Sequence, residues 1–131
     1  MANMNPVVHF EMPYEDSERV NKFYSQAFGW QMNKMGEEMG NYVLATTTQT
    51  DPKTTRPTTP GAINGGFYPA DPGKPQQAPH VVISVDDLKE SMEKVKKAGG
   101  KILGDPMDIP GIGKFVMVID TEGNHVGLLQ P

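Results

Sequence analysis

Two histidines at matching points of a repeated pattern are the residues in this chain best suited to chemistry. His9 stands in Val7-Val8-His9-Phe10 and His80 in Pro79-His80-Val81-Val82. Each opens a short apolar run, and each lies twenty residues ahead of a glycine, Gly29 in Phe28-Gly29-Trp30 and Gly100 in Ala98-Gly99-Gly100-Lys101. Imidazole is both a metal ligand and an acid–base group near neutral pH. One imidazole from each half, turned into a common concavity, would build either a metal centre or the shell of one. Side chains alternate along a strand, so Glu11 shares the face of His9, and His125 shares a face with Gly127. Convergence of His9, Glu11, His80 and His125 would give three imidazoles and a carboxylate, a set that suits zinc or iron by ligand type. The plainer alternative is that the histidines are core residues bonded to carbonyls and that Glu11 pairs with Arg19 or Lys22.

The elements that must position these residues occur twice in the same order. Val7 to Met12 reads as a strand that Pro13 closes, because proline cannot donate to a ladder. Across Ser17 to Phe28, Val20, Phe23, Tyr24, Ala27 and Phe28 fall on one helical face, with Asp16 or Ser17 as cap and Gly29 as stop. Strands at Gln31–Lys34 and Tyr42–Thr48 flank the turn Gly36 to Asn41, and Ile63–Tyr68 makes a third. In the second half, His80–Val85 is a strand and Asp87–Ala98 a helix, its Asp87 and Glu90 at capping-box spacing. Lys101–Leu103, Lys114–Asp120 and Val126–Leu129 follow as strands, separated by Pro106, Pro110-Gly111 and Glu122-Gly123-Asn124. Each half therefore reads strand, helix, strand, strand, strand, a unit that cannot bury its own sheet alone. Two stretches break the pattern. Gln49 to Gly61 is a Thr- and Pro-rich loop, suited to a lid or to plain flexibility, and Pro69 to Pro79 is a linker whose four prolines keep it extended.

Composition narrows the partners. A chain of 131 residues fits one compact domain, with module one at about residues 6–68, the linker at 69–79 and module two at about 80–131. There is no cysteine, which excludes disulfides, thiolate metal sites and a cysteine nucleophile. Net charge is −4 with Lys and Arg scattered, which argues against nucleic acid. No segment approaches the ~20 apolar residues of a membrane span, and the first residues have no leader character. The expectation is a soluble cytoplasmic protein.

The tracts His9-Phe10-Glu11-Met12, Phe23-Tyr24-Ser25-Gln26-Ala27-Phe28-Gly29-Trp30, Ile63-Asn64-Gly65-Gly66, His80-Val81-Val82-Ile83-Ser84-Val85-Asp86-Asp87 and Asp120-Thr121-Glu122-Gly123-Asn124-His125-Val126-Gly127-Leu128, taken in order, resemble the vicinal oxygen chelate superfamily of glyoxalase I, the extradiol dioxygenases and the bleomycin-resistance proteins. The resemblance implies an α+β fold in which two βαβββ modules form a curled mixed-sheet cup, with a divalent metal (Zn, Fe, Ni or Mn) on its inner face. It also implies two-fold dimers. His9, fourteen residues before Phe23, matches the first-strand ligand of module one, and His80 matches its counterpart. The two last-strand ligand positions, usually carboxylates in metal-dependent members, fall near Gly65 or Gly66 and on Gly127, which cannot ligate. Two imidazoles leave a divalent ion half of a tetrahedral shell, and Gly127 also removes the carboxylate base of a glyoxalase mechanism. Glyoxalase I activity is therefore not expected.

Three functions remain open on the sequence. One is a binder of a small organic molecule without metal, its pocket lined by Trp30, Tyr42, Phe67 and Phe115, residues that would otherwise pack helix against sheet. A second is a metal-dependent lyase, isomerase or dioxygenase with a rearranged site. The third is an interaction subunit that uses the 49–61 loop as its contact surface.

Overall fold

The computed structural model describes residues 4–74 and 77–131. They group into two compact units. The first is His9–Pro79, and the second is His80–Pro131 together with the residues leading into the first strand as far as Val8.

The first unit takes β1 (Val7–Tyr14) from His9 onward, followed by α1 (Ser17–Phe28), β2 (Gln31–Lys34), a single 3-10 turn (Glu37–Met39), β3 (Val43–Thr46) and β4 (Asn64–Pro69). The strands lie in the order β2-β3-β4-β1. β4 runs parallel to β1 with Glu11 opposite Gly66, and β3 runs antiparallel to β4 with Leu44 opposite Gly66. The helix forms where the apolar spacing places it. Asp16 caps it by accepting from the Arg19 amide at 3.0 Å, and Gly29 ends it in the left-handed conformation at φ 72°.

Pro13 does not close β1. It sits in register opposite Tyr68 and withholds only its own donor, and the strand continues to Tyr14, whose carbonyl accepts from Ala70 at 2.7 Å. β3 is shorter than its sequence suggests, because Thr47 and Thr48 leave the ladder to bond the Asn64 side chain.

α1 covers one side of these strands. Phe10, Met12 and Tyr14 of β1 pack with Val20 and Tyr24 of the helix, with Trp30 and Met32, and with the buried Val43, Ala45 and Phe67. Phe67 is 1 % exposed, and enclosing a side chain of that kind is worth roughly 1.5–3 kcal/mol. The residues between those core positions, His9, Glu11, Gly66 and Leu44, take the opposite face by strand alternation.

The 49–61 segment is ordered by its own bonds. Thr50 and Pro57 form a bridge, the Asp51 carboxylate accepts from the amides of Lys53 and Thr54, and the Thr58 amide donates to the Gln49 carbonyl. The linker is not simply extended: Lys74 N–H returns to the Asp71 carbonyl at 2.9 Å, and the Gln77 side chain accepts from the Asp71 amide. Pro75, in the same linker, lies outside the described residues.

The second unit repeats the plan with β5 (His80–Ser84), α2 (Leu88–Lys97), β6 (Lys101–Ile109), β7 (Gly113–Ile119) and β8 (His125–Gln130), ordered β5-β8-β7-β6. Asp87 caps α2 by accepting from the Glu90 amide at 3.0 Å. Val85, Leu88, Val116, Val118 and Leu128 form its core, with Met92 and Val95 of the helix against them. β6 is three times the length its apolar run implies. Pro106 does not end it but falls inside an irregularity between Leu103 and Met107, where the pairing with β7 shifts. No described helix is long and apolar enough to cross a membrane.

Candidate polar site on the first module

The face of the first unit turned away from α1 carries a directed chain of hydrogen bonds. The Tyr42 hydroxyl donates to Glu11 Oε2 at 2.7 Å, and His9 Nε2 lies 2.9 Å from the same hydroxyl. A phenol has one proton, and it is given to the carboxylate. His9 must therefore be the donor to the phenol oxygen, which fixes its ring with the proton on Nε2. The order is imidazole to phenol to carboxylate, with all three groups partly buried.

Each member is placed by a different piece of backbone. His9 and Glu11 are two residues apart on β1 and so share a face. Tyr42 comes from the residue just before β3, delivered there by the 3-10 turn and by Gly40 and Asn41, both in the left-handed region (φ 66° and 56°). The Met35 amide donates to the Tyr42 carbonyl at 2.8 Å and holds the end of the turn. Gly66 makes the arrangement possible. Its φ lies outside the left-handed region, so the backbone does not demand glycine there, but a Cβ at that position would fall inside the Tyr42 ring. Gly65 serves Phe10 in the same way on the helix-facing side.

The electrostatics follow from the carboxylate. Burial, the Glu11 charge and the bond to Glu11 all oppose ionisation of Tyr42, with a smaller contribution from Tyr68, and its phenol is held far above the ordinary tyrosine range. Tyr68 is pushed up as well, by burial and by Glu11; its hydroxyl donates to the Ala78 carbonyl at 3.2 Å. Both phenols are thus locked as neutral donors around one acid.

The residues expected to line a ligand pocket part company here. Tyr42 belongs to the polar face. Trp30 and Phe67 sit on the other side, under α1, with Tyr24 stacked on Trp30 at 4.7 Å and 5.0 Å from Phe67 between ring centroids. Phe115 belongs to the second unit, where it packs at Gly127: a Cβ on that glycine would lie 2.7 Å from the Phe115 ring and 3.1 Å from Val82 Cγ2. On the same unit, β5 and β8 run parallel with Val82 opposite Gly127. His80 and His125, each two residues earlier, therefore share one face of adjacent strands. His80 is buried, at 9 % exposure.

The donors expected for a metal are His9 and His80, with Glu11 and His125 as additions. Within the first unit, His9 Nε2 and Glu11 Oε2 are both engaged by the Tyr42 hydroxyl, and the position opposite Glu11 is a glycine covered by the Tyr42 ring. Within the second, Gly127 offers no ligand and Phe115 fills the space above it. Among the described residues no group of three or more histidine, aspartate or glutamate side chains is placed to hold an ion. Within either unit taken by itself, these donors do not assemble a three-ligand shell. Sequence reasoning put Tyr42 among the aromatics and missed it as the polar centre. The signal was Gly65-Gly66, a glycine pair inside a strand, which marks close approach of a neighbouring side chain.

Two βαβββ units of this kind define an α+β protein of the glyoxalase type. The chain belongs to the Glyoxalase/Bleomycin resistance protein/Dioxygenase superfamily, whose sequence profile matches residues 7–128. A glyoxylase-like domain-containing protein of Didymella fabae is 37% identical over 117 residues, covering 87% of this chain and 84% of that protein. Among solved structures, methylmalonyl-CoA epimerase of Mycobacterium tuberculosis superposes with a TM-score of 0.67 at 14% identity over 100% of this chain and 93% of that one. A Streptomyces coelicolor methylmalonyl-CoA epimerase in complex with 2-nitronate-propionyl-CoA gives a TM-score of 0.67 at 15% identity over 98% of each chain. These likenesses to solved structures establish the shared fold.

Proposed function

We propose that this chain binds a small organic molecule on the His9–Tyr42–Glu11 face without a metal and without glyoxalase I activity. The observation that carries this reading is the hydroxyl of Tyr42, which engages His9 Nε2 and Glu11 Oε2 together. A face built this way offers hydrogen-bond donors and acceptors and two phenol rings, the mixture that fixes the orientation of an organic ligand. The test is a thermal-shift screen of metabolites against tag-free protein, run with and without EDTA, since a ligand of the native state raises the melting temperature by mass action. A hit whose shift survives EDTA and is lost in Tyr42→Phe supports the reading. A hit that disappears with EDTA defeats it. The chain is expected in the cytoplasm as a homodimer, to be checked by fractionation and by light scattering.

A second reading is favoured by the pairing of a carboxylate with a neutral phenol: metal-free proton transfer at a carbon acid, with Glu11 as base. General-base catalysis needs a carboxylate within reach of the substrate proton, and proteins sharing this fold are named as methylmalonyl-CoA epimerases. Incubation of methylmalonyl-CoA with the protein in D2O decides the matter. Deuterium entering the substrate's acidic C–H position in wild type and not in Glu11→Gln supports an isomerase, and no incorporation eliminates this substrate.

A further inference from the structure

We propose that Tyr42, seated on Gly66, is the specificity-determining residue that keeps divalent cations off the His9–Glu11 face and reserves it for organic ligands. The inference rests on the metal-free reading above and gives it a structural cause.

Three positions on this face are arranged as a metal site would need them. His9 and Glu11 lie two apart on β1, and residue 66 lies directly opposite Glu11 on the parallel strand β4, about 4.8 Å away by strand spacing. All three point to the same side. One phenol engages a donor atom of each of the first two and occupies the space of the third. An imidazole ligates through a nitrogen lone pair, and the Nε2 of His9 instead carries a proton directed at the Tyr42 oxygen, 2.9 Å away. Glu11 Oε2 accepts the Tyr42 proton at 2.7 Å. The third position holds no side chain at all, because the Tyr42 ring stands where its Cβ would be.

The backbone at Gly66 lies outside the left-handed region, so the glycine answers to the ring and not to a turn. Tyr42 and Gly66 are therefore a matched pair: the ring needs the missing side chain, and the missing side chain removes the third ligand.

The experiment is a Co2+ titration of tag-free, full-length protein, read by visible absorption and by calorimetry. Wild type should show no saturable site involving His9. Tyr42→Ala combined with Gly66→Glu replaces the cover by a carboxylate, and with His9 and Glu11 completes three protein ligands, the number found in open metal centres. That variant should take up one equivalent with affinity at least roughly a hundredfold above wild type, and adding His9→Ala should abolish the gain.

Should the double variant not fold by circular dichroism, Tyr42→Ala alone is read by cobalt-induced broadening of the His9 ring resonances, expected in the variant and absent in wild type. Stoichiometric Co2+ on wild type that is lost with His9→Ala, or a folded double variant that binds no better than wild type, overturns the proposal. An absence of organic ligands in the thermal screen would remove the binding reading while leaving the cobalt result intact, so the two failures are separable.

Discussion

Replacement of Tyr42 by phenylalanine tests the central hydrogen-bond chain, because it keeps the ring over Gly66 and deletes only the hydroxyl. Two bonds disappear, the 2.7 Å donation to Glu11 and the 2.9 Å bond from His9. A bond to a charged acceptor is worth about 1.5–3 kcal/mol and a neutral one about 0.5–1.5. The three groups are only partly buried and water can take up the abandoned atoms, so the low end applies and the expected loss at pH 7 is about 2 kcal/mol. For a chain of this size that lowers Tm by roughly 6–12 °C.

The pH dependence is the sharper part of this prediction. The folded phenol titrates far above the value of about 10 that it has when unfolded. Below pH 10 it is protonated in both states and its contribution is complete. Above pH 10 only the unfolded chain releases the proton, so the stability Tyr42 confers falls by about 1.4 kcal/mol per pH unit. The gap between wild type and Tyr42→Phe should therefore be constant from pH 7 to 9, shrink by about 1.4 kcal/mol at pH 11 and close near pH 11.5. Urea unfolding of both proteins across this range measures it, with Tyr68, also pushed up, cancelling because both proteins contain it. A gap that stays constant through pH 11, or one below about 0.5 kcal/mol at pH 7, would refute the bonded chain.

Asn64→Ala removes the side-chain oxygen that accepts from the amides of Thr47 and Thr48 at 2.8 and 3.2 Å; the loss of about 1–3 kcal/mol should be accompanied by faster proteolytic cleavage within residues 49–61, read by limited trypsinolysis at Lys53. Gly127→Ala places a methyl group 2.7 Å from the Phe115 ring and 3.1 Å from Val82 Cγ2, and overpacking of this kind should destabilise by about 1–3 kcal/mol in denaturant titration. Asp16→Ala and Asp87→Ala each delete a helix cap and should cost about 1 kcal/mol apiece, additively in the double variant because the caps belong to different units.

What the sequence revealed and what it hid divide along a physical line. α1 was legible to the residue because its signals are local: a 3.6-residue apolar stripe, an aspartate before it and a glycine after it. The repeated order of elements was legible for the same reason. Pro13 and Pro106 misled, since a proline costs a strand one donor and whether that ends the strand depends on what its neighbours do, which is not written nearby. Register is a long-range property, and the polar site is made of register. Tyr42 reaches His9 across 33 positions and Glu11 across 31, over a turn whose length and left-handed residues set where the ring lands.

Alternation along β1 did place His9 and Glu11 together, and alternation alone also sends Phe10 and Met12 under the helix. The aromatics are harder, because a ring's type says nothing about which face it takes. Trp30 and Phe67 went to the core and Tyr42 to the polar side, and only the last carries a hydroxyl that an apolar core would leave unsatisfied. The glycines at 66 and 127 complete the argument. As missing ligands they say only what the site lacks, whereas each is also the imprint of an aromatic ring, Tyr42 on one unit and Phe115 on the other. In this chain a glycine inside a strand is evidence of what has filled the space, and at Gly66 the occupant is a proton donor.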